Sequence, residues 1–132
     1  MGFELRLLLD TCTFVWLTAA PNRLSAPARD VIDKETNDLF LSHVSIWEIH
    51  MKHRARKLDL PQKPRLWISR QLAARGLIDW PIDLEAIHRT SELPGHHKDP
   101  FDRMVIALAE IHGFVIVTPD PAFQEYKSRL IW

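Results

Sequence analysis

Residues 7–17 read LLLDTCTFVWL. The apolar run Leu5–Leu9 has the length of a buried strand, and it stops on a bare carboxylate, Asp10. From Thr11 the residues read as a helix, which Ala20-Pro21-Asn22 ends. A strand that leaves the core on an acid and passes at once into a helix opens an alternating β/α chain. Whether other acids occupy equivalent places decides what the chain does.

Working outward, the alternation continues. Ser25 reads as the cap of a helix with Pro27 in its first turn, running to about Lys34. Leu39–Leu41 is a short strand. A helix is predicted over Val44–Lys57, broken before Pro61, and another over Arg65–Arg75, closed by Gly76. Leu77–Trp80 is a weak strand and 83–93 a helix. Asp99-Pro100 opens a strong helix that ends at Gly113. Phe114–Val117 is a β-branched strand leading into Thr118-Pro119-Asp120, and Leu130–Trp132 is a last short strand. This order predicts an α/β fold, a three-layer α/β/α sandwich with a central, mainly parallel sheet, as one domain over residues 1–132. In such sheets ligands bind beyond the carboxyl ends of the strands, where Asp10 and Asp120 both fall.

Hydrophobic residues make up 46% of the chain, which excludes a disordered protein. Lys plus Arg and Asp plus Glu both number 17, so nucleic-acid binding, if any, must come from a local patch. Cys12 is the one cysteine, so no intrachain disulfide forms. The N-terminal residues lack the pattern of a signal peptide, and no run reaches the roughly 18 apolar residues of a membrane span. The expectation is a cytoplasmic protein with no membrane partner.

Two further acids stand where a core should be. On the predicted helix through Glu48, the same face carries Val44, Met51 and Ala55, so Glu48 interrupts an apolar stripe. On the helix from Pro100, the face through Asp102 continues as Ile106 and Ala109, and the helix is apolar nearly all round. Asp10, Glu48, Asp102 and Asp120 gathered at one edge would repel one another, and such crowding demands protonation or a cation. Carboxylate oxygens are hard ligands that suit Mg2+ or Mn2+. A metal cluster of that kind activates water and steadies a phosphoryl transition state.

Each acid also has a plain structural role open to it. Asp99 caps the helix at Pro100, and Asp102 sits in its favourable first turn. Asp10 caps the first helix, and Asp120 makes an Asx turn before Pro121. Glu48 has the weakest alternative, since a buried stripe gains nothing from a glutamate. The histidines His50, His53, His96 and His97 have no zinc-site spacing and read as a solvated basic face. Lys52, His53, Arg54, Arg56 and Lys57 are either a plain helix surface or a ridge for phosphates. Trp16, Trp47, Trp67 and Trp80 fall in apolar patterns that read as core or interface.

Four stretches carry a family likeness: LLLDTCTFVWL, SIWEIHMKHRARKL, HHKDPFDRMVIALAE with its H-x-D-P-F-D-R segment, and VIVTPDPAF. In this order and spacing they resemble a PIN-domain ribonuclease, specifically the VapC-type toxin of a toxin–antitoxin pair. The resemblance implies catalytic, metal-binding acids at Asp10, Glu48, Asp102 and Asp120, with Mg2+ or Mn2+ as cofactor and RNA as substrate. It implies supporting roles for Asp99, Thr118 and Thr11; the basic residues expected to contact RNA are Lys52, Arg54, Arg56, Lys98 and Arg103. It further implies a cognate antitoxin that blocks the site, and a homodimer. Pro119 departs from the basic or polar residue that many relatives carry there.

Two rival classes stand beside this reading. A haloacid-dehalogenase-type phosphatase also begins with a strand ending on Asp, but it needs a second Asp where this chain has Cys12. The alternative kept is a catalytically silent PIN-like interaction module, against which the full set of acids speaks.

Overall fold

A computed structural model describes residues 4–132. Strand β1 (Arg6–Leu9) is central, flanked in parallel by β2 (Asp38–Ser42) and β4 (Val115–Val117). Pairing on both edges and packing on both faces leave Leu7, Leu8 and Leu9 with no exposed surface. Short edge strands β3 (Ile78–Trp80) and β5 (Leu130–Ile131) complete a five-stranded parallel sheet in the order β3-β2-β1-β4-β5. The chain walks outward from β1 to β3 and then returns to build β4 and β5 on the other side. That reversal opens a crevice at the carboxyl ends of β1 and β4.

The helices are α1 (Thr11–Ala19), α2 (Ala26–Asp33), α3 (His43–Arg54), α4 (Pro64–Arg75), α5 (Leu84–Glu92) and α6 (Pro100–His112). Successive strand residues point to opposite faces, and the core divides accordingly. Leu7, Leu9, Leu41 and Val117 pack with Phe14 and Leu17 of α1, Ile32 of α2, and Trp67 and Ile68 of α4. Leu8, Phe40 and Ile116 pack with Ala86 of α5 and Val105, Ile106 and Leu108 of α6. The result is a three-layer α/β/α sandwich, as the alternation predicts. Helices α4 and α6 close as expected on Gly76 and Gly113, both in the left-handed region at φ 62° and 72°.

Helix α3 differs from the sequence expectation in two ways. It ends at Arg54, three residues before Lys57, because Arg56 turns into the left-handed region at φ 59°. The Arg56 N–H then donates to His53 O at 3.0 Å and the Lys57 N–H to Lys52 O at 2.8 Å, a Schellman cap without glycine. The buried face is also Val44, Ser45, Glu48 and Ile49, while Met51 and Ala55 of the expected stripe are exposed. Only the first half of α3 reaches the core, and its last turn is largely exposed. Trp47 is 58% exposed, so within the chain it is no core residue. Among the described residues, no helix is long and apolar enough to cross a membrane.

Candidate active site

Asp10 leaves the carboxyl end of β1 as the N-cap of α1, with Oδ1 accepting from the Thr13 N–H at 2.8 Å. Its other oxygen accepts from Thr118 Oγ1 at 2.6 Å, which ties the end of β1 to the end of β4. The Thr13 hydroxyl donates to Val117 O at 2.9 Å and fixes the same junction from below. Burial pushes the Asp10 carboxyl above the usual aspartate range, and the hydrogen bonds from Thr118 and Thr13 only partly offset it.

Glu48 is buried on α3, and both of its oxygens are engaged. Thr11 Oγ1 donates to Oε1 at 2.6 Å, and Lys52 Nζ lies 2.6 Å from Oε2 one turn along the helix. This explains how a glutamate survives on a buried face: each oxygen has a donor, and one donor is charged.

Asp99 caps α6, its Oδ1 accepting from the N–H groups of Phe101 at 2.8 Å and Asp102 at 3.3 Å. Asp102 follows in the first turn and points into the crevice. Burial, then the neighbouring charge of Asp99, push its carboxyl up to about 7; Glu48 and Asp10 add to the rise and His97 opposes it. Asp120 follows β4, its N–H donating to Thr118 Oγ1 at 3.1 Å and its Oδ1 capping the short turn that follows through the Ala122 N–H at 2.9 Å.

Asp10, Glu48, Asp99, Asp102 and Asp120 line one cleft of about 370 Å3, together with Thr11, Cys12, Lys52 and Lys57. The single thiol in this acidic cleft is pushed up to about 11 by burial and by the Asp10 charge, so Cys12 stays protonated.

One residue of the site escapes sequence reasoning. His97 Nε2 lies 2.8 Å from Asp102 Oδ2 and 3.5 Å from Asp120 Oδ2. Nε2 is buried and is not aligned for a hydrogen bond to either oxygen. His97, Asp102 and Asp120 each offer one ligand atom within 4.8 Å of the others, the spacing of a metal-binding group. On the ring's other side, Nδ1 accepts a long 3.4 Å bond from the Asp99 N–H. The sequence signal was there, in the histidine two residues before Asp99 in H-x-D-P-F-D-R, but the polar run His96-His97-Lys98 reads as a solvated loop.

The basic residues divide sharply. Lys52 and Lys57 line the cleft. Arg54, Arg56 and Lys98 are exposed outside its lining. The expectation of an RNA contact at Arg103 is corrected. Its guanidinium is consumed by the carbonyls of Thr90, Leu93, Pro94 and His97 at 2.5 to 3.2 Å, pinning the 93–97 loop to α6. A guanidinium so occupied has no free edge for a phosphate.

Crowded, partly buried carboxylates, of which Asp10 and Asp102 are pushed up by burial, beside an unaligned buried imidazole nitrogen, are a donor set that fits a divalent cation. The fold and this acid-lined switch point define the class: residues 7–128 match the model of the PIN domain, and the chain belongs to that family. Among particular proteins, the chain is 28% identical over 124 residues to Ribonuclease VapC22 of Mycobacterium tuberculosis, covering 92% of each chain. The fold is similar to VapBC2 of Rickettsia felis bound to a promoter DNA fragment, with a TM-score of 0.68, 13% identity, and 96% and 97% of the two chains covered. It is also similar to DNA-bound VapBC of Salmonella typhimurium, with a TM-score of 0.65, 22% identity and the same coverage.

Proposed function

We propose that this protein is a metal-dependent endoribonuclease, the toxin of a toxin–antitoxin pair acting in the cytoplasm. The observation that carries the reading is the convergence of five carboxylates on one cleft at the β1/β4 crevice. The ribonuclease name of the mycobacterial relative supports the choice of RNA, and the toxin–antitoxin complexes among the structural neighbours support an antitoxin partner.

Asp10, Asp102 and Asp120, with Glu48 behind them, are the residues that would hold Mg2+ or Mn2+. When bound, the ion supplies Lewis acidity toward a phosphoryl oxygen and a water of lowered pKa. The chain's own residues prepare the site for it. Thr118 and the Thr13 N–H fix the Asp10 carboxylate, and Thr11 fixes Glu48. His97 sits between Asp102 and Asp120 and sets their separation. Lys52 and Lys57 bring positive charge to an otherwise acidic cleft, which lets a neutral chain hold a polyanion.

The homodimer belongs to the same reading. An apolar groove lined by Trp47, Met51, Ile82, Phe101 and Met104 lies on the α3/α6 side, and a second copy is its proposed occupant.

The test is cleavage of a mixed RNA pool in Mn2+, with EDTA as control. Asp10→Asn and Asp102→Asn, each shown folded by circular dichroism, are expected to lose cleavage by at least about a thousandfold. Full activity in either folded variant overturns the assignment. Expression should also arrest growth, and co-expression of a small neighbouring antitoxin gene should relieve the arrest.

A further inference from the structure

We infer that Lys52 is a built-in cation of the active site, filling the position beside Glu48 that a second divalent ion would take, so that the cleft binds one ion and not two. The inference rests on the nuclease reading and specifies the form of its metal site.

The geometry is lopsided. At one pole stand Asp10, Asp102 and Asp120, whose partners are hydroxyls, backbone N–H groups and the His97 ring. No lysine or arginine pairs with any of these three among the described residues. At the other pole stands Glu48, already bound on both oxygens, with the Lys52 ammonium 2.6 Å from Oε2 and the Thr11 hydroxyl 2.6 Å from Oε1.

A magnesium-sized ion taking Glu48 Oε2 as ligand would lie about 2.1 Å from that oxygen. With Lys52 Nζ 2.6 Å from the same oxygen, ion and ammonium would be no more than about 5 Å apart. Two cations at that range, sharing one carboxylate in a partly buried cleft, repel strongly. The ammonium is always present at that oxygen, because it is tethered to the same helix one turn from its partner.

Lys52 also remains charged. A lysine is cationic at neutral pH, and a carboxylate 2.6 Å away favours that charged form. The side chain is 49% exposed, so it reaches from the helix surface into the cleft and is not sealed beneath it. In a two-ion site the ions stand about 3.5–4 Å apart and neutralise opposite sides of the phosphoryl group. A lysine is a compact point charge with three rotatable donors and can take one of those places.

The test counts Mn2+ bound to the full chain, by electron paramagnetic resonance of the free ion during titration. Wild type is expected to bind one ion. Lys52→Met, which frees Glu48, is expected to bind two, and Lys52→Arg, which keeps the charge, one. Two ions on the wild type overturn the inference, and so does a single ion on folded Lys52→Met. If Lys52→Met fails to fold, Lys52→Gln takes its place with the same expectation of two ions, and a single ion on it overturns the inference. No ion on the wild type, or an ion undisturbed by Asp102→Asn, defeats the metal-nuclease reading itself and takes this inference with it.

Discussion

His97 Nε2, on the loop that runs into α6, stands 2.8 Å from Asp102 Oδ2 in the first turn of that helix. The ring is held by its surroundings. Its backbone N–H donates to the Tyr126 hydroxyl at 2.8 Å, and its face meets Phe123 at 5.7 Å between centroids. A group so fixed acts as a spacer between Asp102 and Asp120. His97→Ala should therefore weaken Mn2+ binding by about 10–100-fold, the usual effect of removing an outer-shell partner, while the fold persists. Calorimetric titration with Mn2+ measures it, and unchanged affinity would remove His97 from the site.

The pH dependence of stability follows from Asp102. Its folded pKa, about 7, lies above the ordinary aspartate value of 3.8 because burial and Asp99 disfavour the charged form. For a raised pKa the stabilising contribution is complete below the unfolded value and is lost as pH rises through the folded one. Metal-free protein should thus lose stability between about pH 4 and pH 7, and the upward shift of Asp10 acts in the same direction. With a discount for a side chain still open to the cleft, the Asp102 share is on the order of 2 kcal/mol. In EDTA at pH 8, Asp102→Asn should melt higher than wild type, and Mn2+ should raise the melting temperature of the wild type alone. An equal pH profile for the two proteins would contradict the argument.

The acids were legible in the sequence because each breaks a local pattern. Asp10 ends an apolar strand and Asp102 stands in the first turn of a helix buried over Val105–Ala109, whereas Glu48 is buried although Met51 and Ala55 of its expected stripe are exposed. The β/α alternation likewise announced the parallel sheet. What escaped detection depends on long-range packing. The His97 Nε2 is covered because the 93–97 loop folds back against Tyr126 and Arg103. Arg103 looks like a free surface cation until those loop carbonyls close round it. The end of α3 had no glycine or proline to mark it, since Arg56 itself takes the left-handed turn. That turn is what carries Lys57 off the helix face and into the lining of the cleft.

Arg103 leads to a prediction about stability rather than RNA. Its guanidinium satisfies the carbonyls of Thr90, Leu93, Pro94 and His97, with the Tyr126 hydroxyl at 3.5 Å. Hydrogen bonds to a charged group contribute about 1.5–3 kcal/mol each when lost singly, and a shared network does not sum. Arg103→Ala should cost at least about 3 kcal/mol in urea unfolding. Arg103→Lys should recover little of that, because an ammonium lacks the planar fork that spans these carbonyls. If Arg103→Lys matched wild type in stability, the network would not be what fastens the loop.

Arg56 offers the opposite sign. At φ 59° it is the one described residue other than glycine with a positive φ, and its Cβ crowds the backbone there. The cap geometry needs that conformation, since the Arg56 and Lys57 N–H groups donate back to His53 O and Lys52 O. Glycine adopts it without the Cβ penalty, at a smaller cost in unfolded-chain entropy. Arg56→Gly should raise stability by about 0.5–1 kcal/mol, read as a higher urea midpoint at unchanged slope. Arg56→Val should lower it by more than Arg56→Gly raises it, because a β-branched side chain fits that region worst. A destabilised glycine variant would mean that the Arg56 side chain makes a compensating contact, and that the turn into the cleft is held by more than its backbone.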